Sequence, residues 1–226
     1  MPVILHHLDQ SRSQRVLWLL EELGIPYELV QHKRQPDLRA PKSLRDVHPL
    51  GKAPVIEDDG KVIAESGAIV EYLIKKYGDG KFVPANADRQ LDDIHWSHFA
   101  EGSLMPTLVM KLIFSIIPGR APFLIRPLVR SICSGVTTAM VDPDAKSKLN
   151  YVADHIKKHP GWFAGGDAAG NPTAADFQML FPLEAATSGR VPDLAPELKA
   201  WVDNAHARPA YQRALEKGGP YSYANP

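Results

Sequence analysis

One cysteine in 226 residues is the first scarcity in this chain. Cys133 alone cannot build an internal disulfide, which fits a reducing compartment rather than a stapled secreted domain. Excess charge is missing too: 26 basic and 26 acidic residues leave a formal net charge of zero, so no basic footprint for nucleic acid is present. The opening Met1-Pro2-Val3-Ile4-Leu5-His6-His7 has no basic segment followed by a long apolar one, and a secretory leader is not expected. The most apolar tract, 112–141, is interrupted by Pro118, Gly119, Arg120, Pro122, Arg126, Pro127 and Arg130. It falls short of the ~20 consecutive apolar residues of a spanning helix. There is no Gly-X-Gly-X-X-Gly and no phosphate loop. His155 and His159 stand four apart, but His-Ile-Lys-Lys-His lacks a glutamate and adds two lysines, so a solvated face is expected there and no metal. What remains is an ordinary composition, 44% hydrophobic and 23% charged, for a soluble intracellular protein of one or two domains.

Apolar periodicity divides the chain. Val3 to His7 reads as a strand. A helix begins at Ser11 or Arg12, with Val16, Leu17, Leu20 and Leu23 at helical spacing, Gly24 as its stop and Pro26 just beyond. Tyr27 to His32 is a second strand, so a β-α-β unit with a right-handed crossover is expected. Residues 33–47 form a loop or short irregular helix. Pro54 to Glu57 and Lys61 to Ala64 make a hairpin around Asp58-Asp59-Gly60, and Ser66 to Tyr77 is a helix turning Ile69, Tyr72 and Leu73 inward. Gly78 to Asp88 has the composition of a linker. Beyond it only helical patterns occur, over 89–116, 122–140, 143–159, 174–188, 194–206 and 208–216.

The densest cluster of informative residues is 46–73. A turn, His48-Pro49-Leu50-Gly51, leads through Lys52 and Ala53 to a strand behind Pro54, and Glu65-Ser66-Gly67 sits at the mouth of a helix. A proline at a strand start removes a ladder donor. A Glu-Ser pair at a helix start gathers a carboxylate, a hydroxyl and free N–H groups, although plain capping accounts for it as well. Such a segment can hold a small peptide by its backbone and its charged ends. It resembles the glutathione-binding half of the cytosolic glutathione transferases, in a serine-type branch found in fungi and bacteria.

That resemblance covers nearly the whole chain. It implies an α/β thioredoxin-like N-terminal domain followed by an all-α C-terminal domain: 1–78 to bind glutathione, 79–88 as linker, and 89–226 with a pocket for a hydrophobic electrophile. Where thioredoxin-like folds carry Cys-X-X-Cys, this chain has Ser11-Arg12-Ser13-Gln14. It cannot run dithiol exchange but can offer a hydroxyl and a helix N-terminus to another molecule's thiolate. By the family's offset from Arg15-Val16, Ser11 is the catalytic hydroxyl and Ser13, about 200° further round the helix, is not. Ser11 is equally well placed to be an N-cap. The resemblance implies that Glu65 and Ser66 grip the γ-glutamyl end, that Lys52 meets the glycyl carboxylate with Arg39 as a second candidate, and that Ala53 pairs with the cysteinyl backbone before a cis Pro54. His48 replaces a frequent asparagine.

Thr173-Ala174-Ala175-Asp176 is a capping-box variant, similar to the family's folding signal. Met105, Met110 and Phe114 are candidates for the electrophile pocket, with core packing as the alternative; Cys133 is expected in the core. The implied function is a detoxifying, cytoplasmic, homodimeric glutathione transferase that uses glutathione as cosubstrate and needs no metal. A glutathione-dependent disulfide reductase or peroxidase, or a non-enzymatic transferase-like binding protein, would carry the same features.

Overall fold

The computed structural model describes residues 2–37 and 39–224. Its N-terminal part is a four-stranded sheet of order β2-β1-β3-β4, built from Val3–Leu8 (β1), Tyr27–His32 (β2), Val55–Asp58 (β3) and Lys61–Ala64 (β4). β1 runs parallel to β2, with Leu5 opposite Leu29, and antiparallel to β3, with Leu5 opposite Ile56. A strand with neighbours on both edges and layers on both faces should lack polar alternation, and five of the six β1 residues are buried.

Helix α1 (Ser13–Leu23) ends where expected: Gly24, at φ 64°, donates its N–H to the Leu20 carbonyl. The 33–47 segment contains one short helix, α2 (Ser43–Val47). The turn at 48–51 closes through the Gly51 N–H on the His48 carbonyl, 2.9 Å, with Gly51 at φ 55°. In α3 (Ser66–Tyr77), Ile69, Val70, Leu73 and Ile74 face the core. Tyr72 packs half-buried against the same core, and its hydroxyl reaches the buried Asp58 carboxylate at 2.8 Å, where Lys76 and Tyr77 also converge. A phenol with a polar partner at the edge is held there.

The helical part comprises α4 (Gln90–Phe99), α5 (Met105–Arg120), α6 (Arg126–Val136), α7 (Asp142–Lys158), α8 (Ala174–Ala185), α9 (Pro196–His206) and α10 (Pro209–Gly218). Wide π turns at 100–104 and 137–141 join α4 to α5 and α6 to α7 without a break, and α8 runs into a kinked end at 186–190, where Gly189 takes φ 89°. The periodicity at 122–140 therefore covers a short turn, α6 and a π turn rather than one regular helix. α5 outruns its expected end because Pro118 falls in its last turn, where one lost N–H removes a single bond. The segment 78–88 is fastened rather than loose: Phe82 is buried, and its N–H donates to Asp167 at 2.9 Å.

One apolar core unites both parts. Trp18 of α1 is fully buried, with its ring centroid 4.5 Å from Phe177 of α8 and 6.0 Å from Tyr211 of α10. Removing roughly 150–250 Å² of such a ring from water contributes about 4–6 kcal/mol. Arg208 pairs with Glu22, and Arg213 with Glu21 at 2.8 Å, so α10 is tied to α1 by charge as well.

Buried α8 begins at a carboxylate cluster. Asp176 accepts the Thr173 N–H at 2.7 Å and the Phe163 N–H at 2.8 Å. The Thr173 hydroxyl, 3.2 Å from Asp176, also donates to Asp93 of α4 at 2.6 Å, and Asp93 accepts the Ala175 N–H at 2.8 Å. The box is thus shared between two helices. Of the two histidines expected on a solvated face, His159 is exposed, but the half-buried His155 ring packs on Trp96, with centroids 4.6 Å apart, and stacks on Phe163, so burial lowers its pKa. Aromatic neighbours on α4 and in the 159–173 segment, distant in sequence, cover it.

Candidate functional site

The carboxyl end of β1 and the first turn of α1 meet at Ser11 and Ser13. Ser11 Oγ donates to the Leu8 carbonyl at 2.8 Å, lies 2.8 Å from Ser13 Oγ, and accepts the Ser13 N–H at 3.2 Å. Ser13 is inaccessible, and its hydroxyl is engaged by the Leu8 N–H at 3.1 Å and by His7 Nδ1 at 2.9 Å. Burial pushes the His7 imidazole down to about 4, keeping it neutral. Of the two serines only Ser11 lines the adjoining cavity, of about 640 Å³, together with Gln10, Arg12, Arg34, Lys52, Ala53 and Phe181 among others.

A second cavity of about 360 Å³ shares Arg12, Leu50, Lys52 and Ala53 with the first and adds Pro54, Glu65, Ser66 and Glu101. All six residues singled out in the sequence, Ser11, Lys52, Ala53, Pro54, Glu65 and Ser66, therefore border one continuous concavity. Ala53–Pro54 is a cis peptide. Glu65 stands at φ 72°, a conformation that costs a non-glycine residue about 1–3 kcal/mol and concentrates at binding sites. Its side chain makes no cap bond to α3 and is exposed, so capping does not account for its carboxylate.

Ser66 is buried and supported from behind. Arg15 Nη1 donates to Ser66 Oγ at 3.1 Å, to Gln178 Oε1 of α8 at 2.7 Å and to Glu101 Oε1 at 2.8 Å. Gln178 Nε2 returns to the Ser66 carbonyl at 3.1 Å. Glu101, in the first π turn, also accepts from Arg12 Nε at 2.8 Å. Burial raises the Glu101 carboxyl, but Arg15 and Arg12 outweigh it and hold its pKa below the usual range. The guanidinium carbons of Arg12 and Arg15 lie 5.3 Å and 5.4 Å from the Phe181 ring centroid, a cation–π spacing.

The sheet-bearing part matches the family model for the glutathione S-transferase N-terminal domain over residues 5–81. Glutathione S-transferase 3 of Schizosaccharomyces pombe is 36% identical over 218 residues, covering 95% of this chain and 87% of the relative. The chain belongs to the glutathione S-transferase family. Glutathione S-transferase 1 of Saccharomyces cerevisiae is 32% identical over 96% of both chains. A glutathione S-transferase crystal structure from Actinobacillus pleuropneumoniae superposes with a TM-score of 0.77 at 26% identity, covering 98% of this chain and 95% of that one.

Within this transferase frame the sequence reading missed the Arg15–Glu101–Gln178 support. Arg15 served only as a marker of offset, although a charge amid Val16, Leu17 and Leu19 was itself a signal that something buried must pair with it. Of the electrophile-pocket candidates, Met105 is buried, Met110 is half exposed, and neither they nor Phe114 line the two cavities beside Ser11. The apolar surface there comes from Leu8, Leu50 and Phe181.

Proposed function

We propose that this glutathione transferase binds glutathione across the two joined cavities and stabilises its thiolate with Ser11. The observation that carries the reading is the single concave surface bordered by Ser11, Lys52, Ala53, Pro54, Glu65 and Ser66. Glu65 and the Ser66 hydroxyl, held by Arg15, take the γ-glutamyl ammonium and carboxylate. The Ala53 backbone pairs with the cysteinyl residue, and Lys52, with Arg39 nearby, meets the glycyl carboxylate. The thiol then lies towards Ser11 at the positive end of α1.

A thiol of pKa ~8.5 is about 3% ionised at pH 7. One charge-assisted hydrogen bond and a helix terminus supply ~2–4 kcal/mol together, enough to lower that pKa by roughly two units. Ser11 must first release the Leu8 carbonyl, which keeps the N–H-accepting role of its oxygen intact while the proton turns to sulfur. Attack on a small hydrophobic electrophile follows, and the proton lost from the thiol goes to solvent. No metal is part of this scheme. We place the enzyme in the cytoplasm, without a membrane span, as a detoxifying homodimer. Thiolate absorbance of bound glutathione, titrated across pH in the parent and in Ser11→Ala, tests the reading; an unshifted curve overturns it.

The alternative of a glutathione-dependent disulfide reductase is favoured by one observation. The larger cavity is lined by Arg12, Arg34, Arg39, Lys42, Arg45 and Lys52 against one acid, Asp37. A glutathione disulfide, with twice the carboxylates of glutathione, suits that cationic wall. Turnover of aryl halides against mixed disulfides separates the two.

A further inference from the structure

Arg12 stands where the two cavities join. Ser11 lines the larger and Glu65 and Ser66 the smaller, so a cysteinyl sulfur held between them lies at the junction. Arg12, Leu50, Lys52 and Ala53 border both cavities. Lys52 and Ala53 are taken up by glutathione in the proposed binding mode, on which this inference rests, and Leu50 is apolar. Arg12 is the charged group left over, one residue from Ser11.

Its guanidinium is held at one edge and open at the other. Nε donates to both oxygens of Glu101, at 2.8 Å and 2.9 Å. An arginine often meets a carboxylate with two parallel N–H bonds. Here a single N–H takes both oxygens, and neither Nη has a hydrogen-bond partner among the described residues. The Arg12 side chain is 35% exposed, whereas that of Arg15 is wholly buried. Two guanidiniums thus share one carboxylate, and the cluster keeps a net positive charge beside Ser11. Phe181 covers the Arg12 guanidinium at 5.3 Å and also lines the larger cavity. An electrophile whose apolar body rests on Leu50 and Phe181 therefore has the open Nη groups at its polar end.

We propose that Arg12 is a catalytic residue, whose Nη groups donate to the oxygen that becomes anionic as the thiolate adds to a nitroarene or an α,β-unsaturated carbonyl. The sulfur lone pair forms the S–C bond while a π pair moves onto a nitro or carbonyl oxygen. From a halogenated nitroarene the halide then leaves with its electron pair as the ring pair returns. The enolate instead takes a proton from water at carbon. A donor fixed where charge develops lowers the barrier without tightening the ground state.

Trinitrobenzene tests this, because it has no leaving group and stops at the coloured anionic adduct. With glutathione bound to the full chain, the adduct's absorbance gives its formation constant. Arg12→Gln is expected to lower that constant on the order of 10- to 100-fold, and Arg12→Lys, which keeps the charge, to recover part of it. Glutathione affinity, thiolate titration and melting temperature should change far less, since Glu101 keeps Arg15 as partner at 2.8 Å. An unchanged adduct constant in Arg12→Gln overturns the proposal. So does a loss of thiolate or of glutathione affinity as large as the loss of adduct, which would assign Arg12 to the sulfur or to the glutathione carboxylates. A parent that binds no glutathione, or leaves its thiol unionised at pH 7, overturns the binding mode as well; indifference to Arg12 in a parent with a normal thiolate overturns the role of Arg12 alone.

Discussion

Ser13 Oγ lies 2.9 Å from His7 Nδ1 and 2.8 Å from Ser11 Oγ, so the inaccessible serine holds the one that lines the cavity. The two hydroxyls should therefore fail in opposite ways. Ser11→Ala is expected to raise the bound thiol's pKa by about one to two units and to slow attack at pH 7 by roughly an order of magnitude, with much of the rate recovered at high pH. Ser13→Ala strands the Leu8 N–H and His7 Nδ1 in the interior. Each unpaired buried group costs about 1–3 kcal/mol, so its melting temperature should fall further than that of Ser11→Ala, with the smaller thiol shift. Paired melting and thiolate titrations on both variants check the crossing pattern; the larger thiol shift in Ser13→Ala would reassign the activator.

Ser66→Ala and Glu65→Gln should weaken glutathione binding by about 10- to 150-fold, at ~1.5–3 kcal/mol per hydrogen bond to a charged group, while leaving saturated turnover nearly unchanged. Calorimetric binding constants set beside kcat decide this. Equal affinity in parent and variants would remove both residues from the site.

Gln178→Ala is predicted to cost affinity and stability together, although Gln178 lines neither cavity. It removes an acceptor from buried Arg15 and a donor from the Ser66 carbonyl. A loss of about 1–3 kcal/mol in denaturant unfolding is expected, with glutathione affinity falling in step. Retained affinity with lost stability would show that Ser66 keeps its place without α8.

Asp176 supplies a pH test. Burial pushes its carboxyl up to about 7 against the pull of the Thr173 and Phe163 N–H groups. A folded pKa above the unfolded one means the native state holds the proton more tightly, so this group's contribution falls as pH rises from about 4 to 7. Asp176→Asn resembles the protonated acid and does not titrate. Its melting temperature should therefore lie further below the parent's at pH 5 than at pH 8. A pH-independent gap would mean that the N–H groups keep Asp176 ionised throughout.

Local signals carried most of the fold. The period-two and helical stripes, Gly24, Pro54 and the Thr173–Asp176 box placed strands and helices because each acts on its own neighbours. The contour of the candidate site was legible for the same reason: four of its six residues fall within the 14 residues from Lys52 to Glu65. What supports it was not. Glu101 and Gln178 lie 86 and 163 residues from Arg15, and only packing brings them together. His155 failed differently: its spacing gave the right helix, but the face it occupies was set by Trp96 on another element.

The π turn at 100–104 holds one residue more than a regular helix would use there, and that spare residue has a consequence for tolerance to deletion. Removing a residue from an α-helix rotates everything downstream by about 100° and scrambles its contacts. Gly102 is exposed, and a Cβ there would meet nothing within 4 Å. Its deletion should let the turn tighten into ordinary helix, leaving α5 in phase with α4 and drawing Glu101 back from Arg12 and Arg15. A shortening of the chain at that point would thus spare the architecture and strike the site, whereas the same cut at Val109, about two turns further along, would derange the bundle first.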